Sequence, residues 1–106
     1  MIIGVPRERK TDESRVAIIP GAVPVFLKAG HKVLIEEGAG RGSGIEDREY
    51  ELSGAEIVPS VKELYERAEM IYKVKEPQPS EYNLLREGQI IFAYLHLAAE
   101  PEVTRV

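Results

Sequence analysis

Apolar positions along the chain fall into short runs broken by polar stretches, and the spacing inside each run separates strands from helices. Met1 to Val5 is apolar and rich in β-branched residues, and Pro6 stops it; it predicts a buried strand, with a polar loop from Arg7 to Arg15 after it. Pro20 and Gly21 precede Val23, Phe26 and Leu27, and Gly30 follows them, the Pro-start and Gly-stop order of a helix. Pro24 falls in the first turns of that helix and leaves its start open. Lys32 to Glu36 sets Val33, Leu34 and Ile35 between charged ends, which predicts a second strand leading into a Gly-rich loop.

The pattern then repeats. Asp47 to Leu52 predicts a short helix carrying Tyr50, and Ala55 to Val58 a short strand. Ser60 and Glu63 have the spacing of a capping box, in which each side chain satisfies the other's exposed backbone amide, and open a helix through Ala68. Met70 to Val74 is the next strand. Glu76-Pro77-Gln78-Pro79 suits neither helix nor sheet, and Ser80 can cap a short helix through Leu85. Gln89 to Leu95 predicts the last strand. Beyond His96, Pro101 and Glu102 stand where a helix would begin, and that helix is cut off at Val106. Strands alternating with helices imply an α/β fold with a parallel sheet and right-handed crossovers. A unit that stops as its next helix begins leaves a sheet face uncovered, so the chain reads as a fragment or part of a larger assembly.

Composition narrows the function classes. A length of 106 residues suffices for one core, and 43% hydrophobic with 30% charged residues is the balance of a globular domain. Fourteen Lys and Arg against 18 Asp and Glu give a net charge of -4, which offers no general attraction for nucleic acid or an anionic membrane. No apolar run approaches the roughly 20 residues of a membrane span. The absence of cysteine removes disulfide frameworks and thiolate metal sites and suits the cytoplasm.

Ligands of open parallel sheets gather beyond the carboxyl ends of the strands. Three groups fall there: Arg15 after the first strand, Lys75 just after Val74, and His96 just after Leu95. Arg15 offers a planar fork that matches a carboxylate, yet a solvated arginine among Asp12 and Glu13 fits its position as well. Lys75 could bind a carboxylate or polarise a carbonyl oxygen, or be a surface lysine. His96 could exchange a proton near neutral pH, or be a structural histidine. His31, at the end of the first helix, receives no catalytic role, and two histidines without i, i+4 spacing or a cysteine partner give a metal site little support. The loop from Gly38 to Gly44 misses the GxGxxG register from each of its glycines and lacks the Lys-Ser or Lys-Thr ending of a phosphate loop, so it reads as a turn.

One resemblance goes further. The opening Ile3-Gly4-Val5-Pro6-Arg7-Glu8, with Thr11-Asp12-Glu13-Ser14-Arg15-Val16-Ala17 after it, resembles the start of alanine dehydrogenases. Gly38-Ala39-Gly40, Gly54-Ala55-Glu56-Ile57-Val58, Lys73-Val74-Lys75-Glu76-Pro77 and Tyr94-Leu95-His96-Leu97-Ala98 are similar to later blocks of that family, in register along the whole chain. The resemblance implies a three-layer, flavodoxin-like sandwich with a mostly parallel sheet, incomplete at its C-terminus. It implies that residues 1–106 are the N-terminal substrate-binding segment of a cytoplasmic, homo-oligomeric enzyme that converts L-alanine to pyruvate and ammonium with NAD. By the family pattern Arg15 binds the substrate carboxylate, Lys75 its carboxylate or carbonyl region, and His96 moves the proton. The NAD-binding domain and a catalytic aspartate belong to a remainder absent here, so this segment alone is expected neither to hold NAD tightly nor to turn over. The NAD-binding domain of nicotinamide nucleotide transhydrogenase shares the opening but, in its familiar forms, not the lysine of KVKEP or the histidine of YLHLA. Saccharopine dehydrogenases share the lysine and histidine with a poorer fit around them. A truncated binding or assembly module is the non-enzymatic alternative.

Overall fold

A computed structural model of the chain describes residues 1–9, 15–75 and 77–93. Its strands are β1 (Ile2–Val5), β2 (Lys32–Glu36), β3 (Glu56–Val58), β4 (Met70–Lys73) and β5 (Ile90–Ala93). Its α-helices are α1 (Val23–Lys28), α2 (Asp47–Leu52) and α3 (Val61–Arg67). The five strands form one sheet in the order β3-β2-β1-β4-β5, and every pairing is parallel. The expected α/β fold with a parallel sheet is therefore met, but the flavodoxin-like topology is not, because that topology orders its strands 2-1-3-4-5. The strand order is that of doubly wound dinucleotide folds, and the chain reverses direction across the sheet between β1 and β4, where such folds open a crevice.

Alternation along the strands supplies two cores, one on each face. Ile3, Val5, Val33 and Ile35 pack with Val23 of α1 and Tyr50 of α2. Leu34, Ile71 and Ile91 pack with Leu64, Tyr65 and Ala68 at α3 on the other face. Gly4 permits the second contact: a Cβ there would lie 2.7 Å from Ala68 Cβ and 3.2 Å from Leu64 Cγ, so a side chain would push α3 off the central strand. Towards β5 the first face is less covered, with Ile90 and Phe92 exposed and Phe92 leaning on Tyr72 at a ring separation of 5.2 Å.

Element ends explain the departures from the sequence pattern. Pro20–Ala22 forms a 3-10 turn that runs into α1, so Pro24 sits in the first turn, where its missing N–H costs nothing. At α3 only half of the expected capping box forms: Ser60 Oγ accepts from the Glu63 amide, while the Glu63 carboxylate turns to Arg67. Residues Pro79–Leu84 form a 3-10 helix begun by Gln78, whose amide donates to Glu81, so Ser80 is not its cap. The carbonyls at the end of α3 are met by Arg86 and by Gln89, whose amide group donates to Tyr65 and Ala68 at 2.8 Å each. The end of the last predicted strand, His96 and the helix proposed around Pro101 lie outside the described residues.

Candidate functional site at the carboxyl end of the sheet

The segment after β1 folds back over the carboxyl ends of its neighbours because two buried carboxylates hold it there. Glu36, the last residue of β2, accepts a bidentate pair from Arg9 at 2.9 and 2.7 Å and the Arg7 amide at 2.8 Å. This paired hydrogen bonding holds the Arg9 guanidinium more firmly protonated than usual. Glu8 points the other way, across the reversal of the sheet. Its Oε2 accepts the amide of Val74 at 2.9 Å and its Oε1 that of Lys75 at 3.3 Å.

Beneath Glu8 lies a charge that sequence reasoning misses. Lys73, on the face of β4 that also carries Ile71, is completely buried; its Nζ lies 3.4 Å from Glu8 Oε1 and 3.4 Å from Glu81 Oε2. Glu81 is fixed in turn by the Tyr65 hydroxyl, which donates at 2.6 Å, and by the Gln78 amide. Burial raises the Glu8 carboxyl above its ordinary range; attraction to Lys73 and the two backbone amides oppose that rise. Burial, then Glu81, push the Tyr65 phenol far up, so it stays a donor. Strand alternation could have found Lys73, since a lysine two residues after a core isoleucine falls on the same apolar face. Nothing local marks Glu8 or Glu81 as its partners, 65 and 8 residues away in sequence.

Arg15 lies beside this network. With Arg7, Glu8 and Arg41 it lines a pocket of about 230 Å³, closed on one side by the loop from Gly38 to Gly42. Three arginines and one buried carboxylate line it, and Arg41 also faces Asp47 at 3.8 Å, so the lining carries an excess of positive charge. Lys75 follows the end of β4 and is half-buried, with its backbone held by Glu8, which also lines that pocket. Glu8 is thus common to the two surroundings: it lines the pocket of Arg15 and accepts the backbone amide of Lys75. His96 lies outside the described residues. His31 stands at the opposite end of the sheet, its Nδ1 2.9 Å from the amino terminus.

The strand order is one that could host a dinucleotide, but the described residues depart from the usual pattern of such sites at two places. In such a site a glycine-rich turn follows the first strand and an acidic side chain ending the second takes the ribose. Here Pro6-Arg7-Glu8 follows β1, and Glu36 is already occupied by Arg9 and the Arg7 amide. The glycines after β2 serve internal packing: a Cβ at Gly40 would lie 2.8 Å from Ile45 Cβ and 3.0 Å from Tyr50 Cε2.

Residues 4–106 match the family described as alanine dehydrogenase/PNT, N-terminal domain. The chain belongs to that family. It is 59% identical over 105 residues to an alanine dehydrogenase of Methanococcus maripaludis and 54% identical over 105 residues to one of Bacillus subtilis, covering 99% of this chain each time. In both cases it spans 28% of the relative's length. A solved L-alanine dehydrogenase superposes with a TM-score of 0.87 at 50% identity, over 98% of this chain and 28% of that one. A transhydrogenase from Sinorhizobium meliloti superposes at 0.84 with 31% identity, over 97% of this chain and 30% of that one. The resemblance in the motifs is thereby established as membership, and the chain is homologous to the N-terminal part of alanine dehydrogenases.

Proposed function

We propose that this chain is the substrate-binding segment of an NAD-dependent alanine dehydrogenase, acting on L-alanine, NAD and water to give pyruvate, ammonium, NADH and a proton. The observation that carries the reading is that Arg15 and Lys75 follow the carboxyl ends of β1 and β4, with Glu8 lining the pocket of Arg15 and accepting the backbone amide of Lys75. The alternative of a transhydrogenase segment is disfavoured by the lower identity to the transhydrogenase and by the presence of both Lys75 and His96.

In this reading each residue does one thing. Arg15 presents its fork to the substrate carboxylate and fixes the orientation of the reacting carbon. Lys75 places an ammonium against the carboxylate or the carbonyl oxygen, where negative charge grows when the carbonyl is attacked. His96 takes and returns the proton. The remainder of the enzyme would hold NAD, which would supply the hydride acceptor, and the 106-residue segment alone neither holds NAD tightly nor turns over alanine. The enzyme works in the cytoplasm as a homo-oligomer, for which exposed Ile90 and Phe92 supply apolar surface.

Steady-state kinetics of the full-length enzyme test the assignment. His96→Ala should lower kcat for alanine by about 10²- to 10⁴-fold, the usual worth of a positioned acid–base group. Arg15→Lys keeps the charge but loses the fork, and should chiefly raise KM for alanine and pyruvate. Both variants should keep parental NAD affinity. Near-normal turnover of His96→Ala at saturating alanine contradicts the proton role, and an unchanged KM in Arg15→Lys contradicts the anchor.

A further inference from the structure

Lys75 lies beyond the last residue of β4, where the sheet's own hydrogen bonds no longer fix the backbone. A substrate-binding lysine on a loosely held segment would lose much of its orienting power, since its ammonium must meet the reacting group within a fraction of an ångström. The amides of Val74 and Lys75 are instead both taken by the carboxylate of Glu8, a residue 66 positions earlier in the chain. That carboxylate is itself steadied. Its side chain is 2% exposed, and the ammonium of Lys73, wholly buried, lies 3.4 Å from it and 3.4 Å from Glu81.

Burying Glu8 is costly, and a carboxylate left without its ammonium would be more so. Apolar residues of similar size would fill the same space at less cost. What they could not do is accept two successive backbone amides beyond a strand end, which needs two acceptor oxygens on one rigid group. Glu8 also lines the pocket that contains Arg15, so the same group sets the segment carrying Lys75 relative to that pocket.

We infer that Glu8 is a positioning residue for Lys75: its buried carboxylate, set in place by Lys73 between Glu8 and Glu81, clamps the backbone amides of Val74 and Lys75 and so fixes where the Lys75 side chain meets the substrate. The inference rests on the reading of Lys75 as a substrate-binding group. Glu8 acts through Lys75 and does not touch the substrate carbon.

A double-mutant cycle in the full-length enzyme separates the two claims. Glu8→Gln keeps the shape, but its NH2 group faces an amide donor in place of an acceptor. With Lys75 present, Glu8→Gln should lower kcat/KM for alanine by about 10- to 100-fold, the scale of a small misplacement remote from the chemistry. Placed on Lys75→Ala, the same change should cost less than about twofold, because the residue it positions is gone. Amide chemical shifts of Val74 and Lys75 should move in Glu8→Gln while NAD affinity stays parental. Should Glu8→Gln fold poorly, the triple change Glu8→Gln, Lys73→Met and Glu81→Gln removes all three buried charges and should fold, yet remain impaired. Recovery of parental kcat/KM by that triple variant would mean that Glu8 serves only to balance Lys73 and would overturn the inference. Equal losses in the presence and absence of Lys75 would overturn it as well. If Lys75→Ala itself leaves kcat/KM unchanged, the reading of Lys75 fails instead, a result distinct from either.

Discussion

The two ends of the sheet handle charge differently. At the amino end Arg67 pairs with Glu56 at 2.6 Å and with Glu63 at 3.3 Å, and Lys32 reaches Glu56 at 3.2 Å. Those groups are open to water, Glu56 being 43% exposed, and their short distances carry little stability because solvent already served the same charges. At the carboxyl end Glu8, Lys73 and Glu81 meet at longer distances but out of water. Fold stability alone gives no reason for such a cluster, since a neutral core is commonly as stable or more so. It stands at the crossover of the sheet, beneath the segment that carries Lys75 and beside the pocket of Arg15. Distance is thus a poor guide to the worth of an ion pair, because exposure to water decides how much of the attraction survives.

Removing one member of each cluster should break the comparison if it is wrong. Lys73→Met leaves Glu8 and Glu81 buried without their ammonium and should destabilise the protein by about 3–5 kcal/mol in urea unfolding. Arg67→Ala should barely move the same curve. Comparable losses from the two would mean that burial does not distinguish the ends. Tyr65→Phe is the next largest effect: Glu81 keeps its charge but loses the 2.6 Å donor, for which about 1.5–3 kcal/mol is expected from a hydrogen bond to a charged group.

The smallest effect concerns titration of the exposed cluster. Hydrogen bonding to Arg67, with help from Lys32, lowers the Glu56 carboxyl to about 2 from an ordinary 4.5. A lowered carboxyl releases its proton more readily in the folded than in the unfolded chain. Its stabilisation is therefore complete above about pH 4.5 and is lost as pH falls towards 2. Because the group is exposed, that contribution is small, and 1 M salt should return Glu56 most of the way to its ordinary titration, as followed by carboxyl NMR shifts. Glu8 behaves in the opposite sense. Its carboxyl, raised by burial against the pull of Lys73 and the amides of Val74 and Lys75, disfavours folding as pH rises from the ordinary carboxylate value through its own, and salt should affect it little.

The sheet was legible because each strand is an apolar run ending at a proline, glycine or charge, and those cues are local. Met1 to Val5 and Lys32 to Glu36 became β1 and β2 within a residue for that reason. The Gly38 to Gly44 loop was legible for the same reason, through the register of its glycines. The clamp on Lys75 was not: Glu8 sits among Arg7, Arg9 and Lys10, where any charge reads as solvated, and its partners lie beyond residue 70. Ser80 was read as a cap because serine is a good one, but Gln78 and Glu81 already form the reciprocal pair that begins that helix. Arg15 and Lys75 could be named as candidates from strand ends, while the hold of Glu8 on the Lys75 backbone and its place in the pocket of Arg15 needed the fold.

The most direct test of the account compares two lysines in the full-length enzyme by alanine-dependent NADH formation. Lys75 lies at the carboxyl end of the sheet, held by Glu8, and Lys32 at the amino end, paired with Glu56. Lys75→Ala should reduce kcat/KM for alanine by about 10²-fold or more, the scale of losing one preorganised electrostatic partner, while Lys32→Ala should stay within about twofold of the parent. Equal, small losses in both variants would contradict the claim that the carboxyl end of this sheet is where the substrate is held.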